Sequence, residues 1–406
     1  MVQQAGRRRS VSLAPVLMFA ALLTSRPSVL GELFTTASVV LAVIAAILAV
    51  FEDQDVRFSR MSLPIVVLLG AAQSWLLFRR GDTGQVADPR ATLILLIVVL
   101  AASIVFSSAP RVVQFIRIFV GAIILFCASC CVTAILWALG VQIVIFSFFT
   151  GQWTATVLFP FTPSIGSVWV SGVLMPRFGG LGREPGWMGM YIAFAAVAWR
   201  WVGRPRWWGY LVLAVGLVCT LSTAGFGIFV VVVAYEVFFR FRSGDSRGII
   251  FSRLLIGTMV VAAAVWVALF APVVGLLAKS DVNALSLDER SSVMQLGFRA
   301  LASLSLGSPT GVANDGIGLV AATAPNGWPY FLFVSLAFVA PLVLSRRQVP
   351  VAMVSVLYLT ILLAQPPQDS VAVYMLLVAA FALAKATDVP ANEAEAPLGL
   401  RQEVSE

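Results

Sequence analysis

The chain alternates long apolar runs with short segments that hold nearly all of its charge. Runs of about twenty apolar residues predict helices able to cross a bilayer. Twelve are marked out: Val11–Ser25, Ser28–Phe51, Ser62–Phe78, Ala91–Ser108, Ile118–Gly140, Trp187–Trp201, Trp207–Leu221, Gly225–Phe239, Leu254–Leu277, Trp328–Leu344, Val349–Ala364 and Val371–Ala384. The runs are continuous, whereas strands of a membrane barrel are about ten residues with alternating polarity. The expectation is an all-α polytopic membrane protein forming a single transmembrane domain over residues 1–406. Arg7, Arg8 and Arg9 before the first run resemble a signal peptide, but Arg26–Pro27 stands where a small-residue cleavage site belongs. The run is read as a retained, short first helix.

Two long connections interrupt the pattern. Residues 141–186 are rich in aromatics and broken by Pro160, Pro163 and Pro176, with Val141–Leu158 expected as a re-entrant or interfacial piece. Residues 278–327 open with an amphipathic pattern over Leu287–Leu306, for which Ser286 is the expected N-cap and Glu289 the third helical residue. They continue into a Gly/Pro/Asn-rich stretch, GSPTGVANDG. Pro110–Arg111 reads as a tight turn, and the acidic residues 386–406 as a disordered, solvated tail.

Composition narrows the class. Sixty per cent of residues are apolar and 11% charged, against about 25% charged in soluble proteins. The net charge of +8 does not point to nucleic acid, because no basic soluble segment carries it. Arginines instead mark the inside ends of helices. With the N-terminus inside, inside cations outnumber outside ones two to one, and both termini are expected in the cytoplasm. Arg177, Arg183, Lys279, Arg290 and Arg299 break that bias by lying in the two large loops, which face outside. Cys127, Cys130, Cys131 and Cys219 all sit in apolar runs and read as packing residues. There is no histidine, so neither a histidine base nor a histidine metal ligand is available, and no metal or cofactor is expected.

The chemistry-bearing candidates lie in the two loops. Arg177, Arg183 and Glu184 combine guanidinium forks suited to phosphate oxygens with a carboxylate able to act as a base. Pro185 is placed at the first position of the following helix, so Glu184 meets the positive helix end. The other reading is a structural Arg–Glu pair capping that helix. Arg290 and Arg299 are nine residues apart and point to different faces of one helix. They are either further anion ligands or a solvated helix surface. Asn314, Asp315 and Asn326, with Trp187, Trp328 and Trp153, offer amide, carboxylate and aromatic groups of the kind that hold sugars; ordinary turn chemistry accounts for each singly. Asp53 and Asp55 read as a solvated loop.

Three stretches resemble the O-antigen polymerase/O-antigen ligase superfamily. They are Arg177-Phe-Gly-Gly-Leu-Gly-Arg-Glu184-Pro185-Gly; Leu221-Ser222-Thr223-Ala-Gly225-Phe at a hairpin tip; and Glu289-Arg290 followed by Pro309-Thr-Gly311 and Pro325-Asn326-Gly327. The resemblance spans residues 110–365. Thr223 stands where the family's hairpin has arginine, and Asn326 near where its ligases have histidine, which favours polymerase over ligase. The resemblance implies a GT-C-like integral-membrane glycosyltransferase of a bacterial inner membrane, acting outside the cytoplasm without metal or nucleotide. Its donor would be a polyprenyl-diphosphate-linked glycan, with a flippase or chain-length regulator as partner proteins. Arg177 and Arg290 would hold the diphosphate, Arg183 and Arg299 would support them, and Glu184 would be the base or orient the acceptor. A lipid-glycan flippase or secondary transporter is the rival of another class. Few ionisable residues fall inside the runs and the two halves show no repeat, which favours the enzyme.

Overall fold

The computed structural model describes residues 12–53, 62–82, 89–149, 154–170, 173–203, 206–238, 284–307, 318–344, 351–363 and 370–386, with a few isolated positions between them. It is mostly helical. The helices are α1 (Ala14–Leu23), α2 (Gly31–Glu52), α3 (Ser62–Asp82), α4 (Pro89–Val105), α5 (Ala109–Ala138), α6 (Pro185–Val202), α7 (Trp207–Cys219), α8 (Thr223–Phe238), α9 (Ala284–Ala302), α10 (Leu319–Asn326), α11 (Trp328–Leu344), α12 (Val351–Leu363) and α13 (Val371–Ala386). Three stretches, Leu33–Glu52, Ser62–Arg79 and Ala109–Ala138, are long and apolar enough to cross a membrane. Six further apolar helices among the described residues are shorter, and α1 has only 10 residues. The expected run Leu254–Leu277 lies mainly outside the described residues, as does the tail beyond Ala386.

Two helices form the centre. Every residue from Val371 to Leu383 in α13 is buried, as is every residue from Trp187 to Ala195 in α6. A helix apolar on all sides belongs in a core. Helix α13 is packed by α1, α3, α4, α5 and α12, and α6 by α5, α7, α8 and α12. The outer helices instead expose Val40, Ile44, Phe51, Val67, Phe78 and Leu125. Apolar side chains inside and outside together mark a protein embedded in a membrane, since a soluble surface does not tolerate contiguous apolar belts of this size.

The helix ends are tied in two groups. At one end, Arg111 of α5 is buried and donates to the Ala49 carbonyl at 2.8 Å and to the Asp53 carboxylate at 3.1 Å. Asp53 is therefore an ion-pair partner rather than a free loop charge. Pro110 and Arg111 form the first turn of a 30-residue helix, not a separate turn. Proline fits there because that position has no intrahelical N–H to lose. At the opposite end lie the α1–α2 turn, the start of α6, the start of α13 and the described parts of both large connections that bond to them or to the end of α3.

The first large connection corrects the all-α expectation. It is a four-stranded antiparallel meander, β1 (Val144–Phe149), β2 (Thr154–Leu158), β3 (Thr162–Val170) and β4 (Val173–Phe178), in that spatial order. Valine, isoleucine, threonine and aromatics favour strands. Two of the three prolines that read as breakers sit where a sheet accepts them, Pro160 in the β2–β3 turn and Pro176 on the edge strand β4, while Pro163 lies one residue into the central strand β3, opposite Val157. Thr162 docks the sheet on α5 through hydroxyl contacts to Ser129 (2.8 Å) and Thr133 (2.7 Å).

In the second connection the amphipathic helix starts at Ala284, so Ser286 lies inside it rather than capping it, and it ends at Ala302. Helix α10 follows the Gly/Pro/Asn-rich stretch, which lies outside the described residues apart from Gly307. Gly297 lets α9 lie on α10, since a Cβ there would stand 2.0 Å from the Val320 carbonyl oxygen.

Candidate functional site

The stretch from Gly179 to Glu184 is a tight loop folded back on the first turn of α6. A Cβ on Gly182 would lie 2.7 Å from the Met188 amide nitrogen, so the glycine is required by close approach. Pro185 occupies the first helical turn and Glu184 is the N-cap, in extended conformation. Its backbone carbonyl accepts from the amides of Trp187 (3.0 Å) and Met188 (3.3 Å). Its carboxylate makes no capping hydrogen bond. It stays half-exposed beside a positive helix end.

Arg183 is almost entirely buried, and its guanidinium stands 3.8 Å from Glu184. That separation is long for a charge-assisted hydrogen bond. The Arg183 amide donates to the Pro27 carbonyl at 2.8 Å, and the Val29 amide to the Leu181 carbonyl at 2.8 Å. The Ala372 amide donates to the Arg26 carbonyl at 3.0 Å. The α1–α2 turn thus joins the loop before α6 to the first turn of α13. Ser28 adds a buried hydroxyl contact to Tyr191 of α6 at 3.2 Å. Arg177 is on β4, half-exposed, and its carbonyl accepts from Ser164 of β3 at 3.3 Å. Arg177, Arg183 and Glu184 therefore belong to one continuous unit of strand, loop and helix start.

The second connection is organised around α3. The Trp75 indole donates to the Asn326 carbonyl at 2.7 Å, and Arg79 donates to the Gly307 carbonyl at 2.6 Å. Gly307 and Gly327 have φ of +98° and +86° and face each other, which brings Leu306 against the Pro325–Gly327 turn. Asn326 is buried, with its side-chain amide nitrogen lacking a hydrogen-bond partner among the described residues. Arg299 is exposed in the last turn of α9. Arg290 lies on the same helix, with its side chain outside the described residues, as are Asn314 and Asp315 entirely.

Trp187 departs from its expected role. It is fully buried in the core, its indole nitrogen without a partner among the described residues, so it offers no ring face to a sugar. Its position in the first turn of a central helix determines this. The α1–α2 turn, Trp75 and Ser370–Ala372 were not singled out from sequence. Arg26 and Arg79 carried the only available signal, as cations on the less basic side.

No family model and no curated protein sequence matches the chain. Fold and site define a helical membrane-embedded protein. A central helix of that protein begins under a glycine-rich loop that carries Arg183 and Glu184 and follows a strand bearing Arg177.

Proposed function

We propose that the chain is a membrane glycan polymerase. It would transfer a glycan from a polyprenyl-diphosphate donor to a sugar hydroxyl of an acceptor repeat unit. The observation that supports this reading best is the half-exposed Glu184 carboxylate, unspent on capping, beside Arg183 and in one unit with Arg177. In the proposed reaction the acceptor oxygen bonds to the donor's anomeric carbon, the bond from that carbon to the diphosphate breaks, and the hydroxyl proton passes to Glu184. The leaving diphosphate gathers charge, which Arg177 and Arg290 stabilise, with Arg183 and Arg299 beside them. A GT-C-like arrangement of twelve spans in a bacterial inner membrane, with cytoplasmic termini and this site outside, belongs to the same proposal.

The purified protein, given lipid-diphosphate repeat units without nucleotide or metal, lengthens them. Glu184→Gln lowers the rate by about 10²-fold or more, the low end of what a general base contributes. Unchanged product length in both Arg177→Ala and Arg290→Ala contradicts the diphosphate assignment. Lipid translocation without lengthening contradicts the enzyme reading in favour of a flippase.

A further inference from the structure

The meander's surface differs from that of a sheet in water. No charged residue lies between Arg117 in α5 and Arg177 on β4, a stretch that includes the whole of β1, β2 and β3. Edge strands exposed to water are ordinarily blunted by charges. The edge strand β1 has none and is apolar on both faces: a bulge between Val144 and Phe146 places Phe146 with Phe148 on one face and Val144 with Phe149 on the other, and Val144, Phe146 and Phe149 are exposed. Phe161, in the turn after β2, is 66% exposed. This apolar surface continues that of α5, whose outer face exposes Leu125, Ile135 and Leu139 up to the residue where the chain leaves the helix.

We propose that the β1–β2 hairpin and the Phe159–Phe161 turn are seated in the lipid bilayer, at the boundary between headgroups and acyl chains. The occupant of the apolar face is phospholipid. Continuity with the lipid-facing side of α5 favours lipid over a second copy of the chain. The boundary region also supplies water and headgroup oxygens to the open backbone edge of β1, which the hydrocarbon centre would not. Because Thr162 is fixed to Ser129 and Thr133 of α5, the sheet is held at a set depth relative to that helix. Arg177, on the last strand β4, is held with it, since its neighbour Phe178 packs with Cys130 of α5. The inference rests on membrane embedding and is independent of the proposed enzymatic reaction.

Single cysteines at Phe146 and Phe161 carry a nitroxide label in the full chain, in nanodiscs of phosphatidylethanolamine and phosphatidylglycerol. The unsubstituted chain supplies the background from its native thiols. Collision with oxygen, which concentrates in lipid, is compared with collision with a water-soluble nickel chelate. Leu125→Cys is the lipid reference. Gln295→Cys, on the exposed polar stripe of α9 with Ser291 and Arg299, is the water reference. Phe146→Cys and Phe161→Cys are expected to favour oxygen as Leu125→Cys does. Values matching Gln295→Cys overturn the proposal. So does low collision with both reagents, which means coverage by protein, such as a second copy paired along β1. If Leu125→Cys itself behaves like the water reference, membrane embedding fails, and the seating of the sheet fails with it.

Discussion

Gly189 of α6 and Gly225 of α8 are the closest point between two helices of the core. A Cβ on Gly189 would lie 2.6 Å from the Gly225 Cα, and one on Gly225 would lie 2.9 Å from the Gly189 Cα. Carbon atoms rest at about 3.5–4.0 Å, so alanine at either site opens the seam by about 1 Å. A gap of that size forfeits a quarter to a half of each affected contact, each worth about 0.1–0.2 kcal/mol. Over a few tens of contacts the loss is about 1–3 kcal/mol, the usual range for overpacking. Within lipid no hydrophobic gain offsets it, because packing itself drives helix association. The measurement is reversible unfolding in mixed detergent for Gly189→Ala and Gly225→Ala. Gly227→Ala provides the control: it is two residues along α8, with nothing within 4 Å of its added Cβ. If Gly189→Ala and Gly227→Ala unfold within about 0.5 kcal/mol of each other, the ordinary scatter of neutral substitutions, the close-approach argument is wrong.

Arg111→Ala removes a buried cation with two hydrogen bonds and should cost about 2–4 kcal/mol by the same unfolding assay, while Asp53→Asn, at the half-exposed partner, should cost about 1 kcal/mol or less. Equal losses would contradict the burial asymmetry. Thr162→Val keeps the shape but deprives Ser129 and Thr133 of a hydroxyl partner, at a cost of about 1–2 kcal/mol. Because these bonds dock the sheet on α5, limited proteolysis should cut the meander sooner in that variant; an unchanged cleavage rate would place the docking elsewhere.

The apolar helices were legible because each is written as an apolar run. Trp328–Leu344 has the expected bounds, and Pro185 starts α6 as anticipated. The meander was not legible: a charge-free run of β-branched and aromatic residues suits both a buried helix and a sheet, and length alone could not separate them. Helix α10 is only 8 residues long and contains Pro325, so it gave no periodic signal. At the site, Arg183, Glu184 and Pro185 stood out as charge and proline at a helix start. The α1–α2 turn beside them did not, since its role is carried by the backbone amides and carbonyls of Pro27, Val29 and Arg26, which any residue type supplies.

That turn also bears on how the protein is made. The Arg26 carbonyl waits for the Ala372 amide, and the Pro27 carbonyl for that of Arg183. During synthesis the early helices emerge long before α13. The α1–α2 turn that holds the loop before α6 therefore completes its backbone bonding only once α13 has been inserted among α1, α4 and α5. A chain stalled or truncated before Val371 would carry every residue of the candidate site and yet lack the Ala372 amide that holds the Arg26 carbonyl, leaving the turn beside the site open at that point.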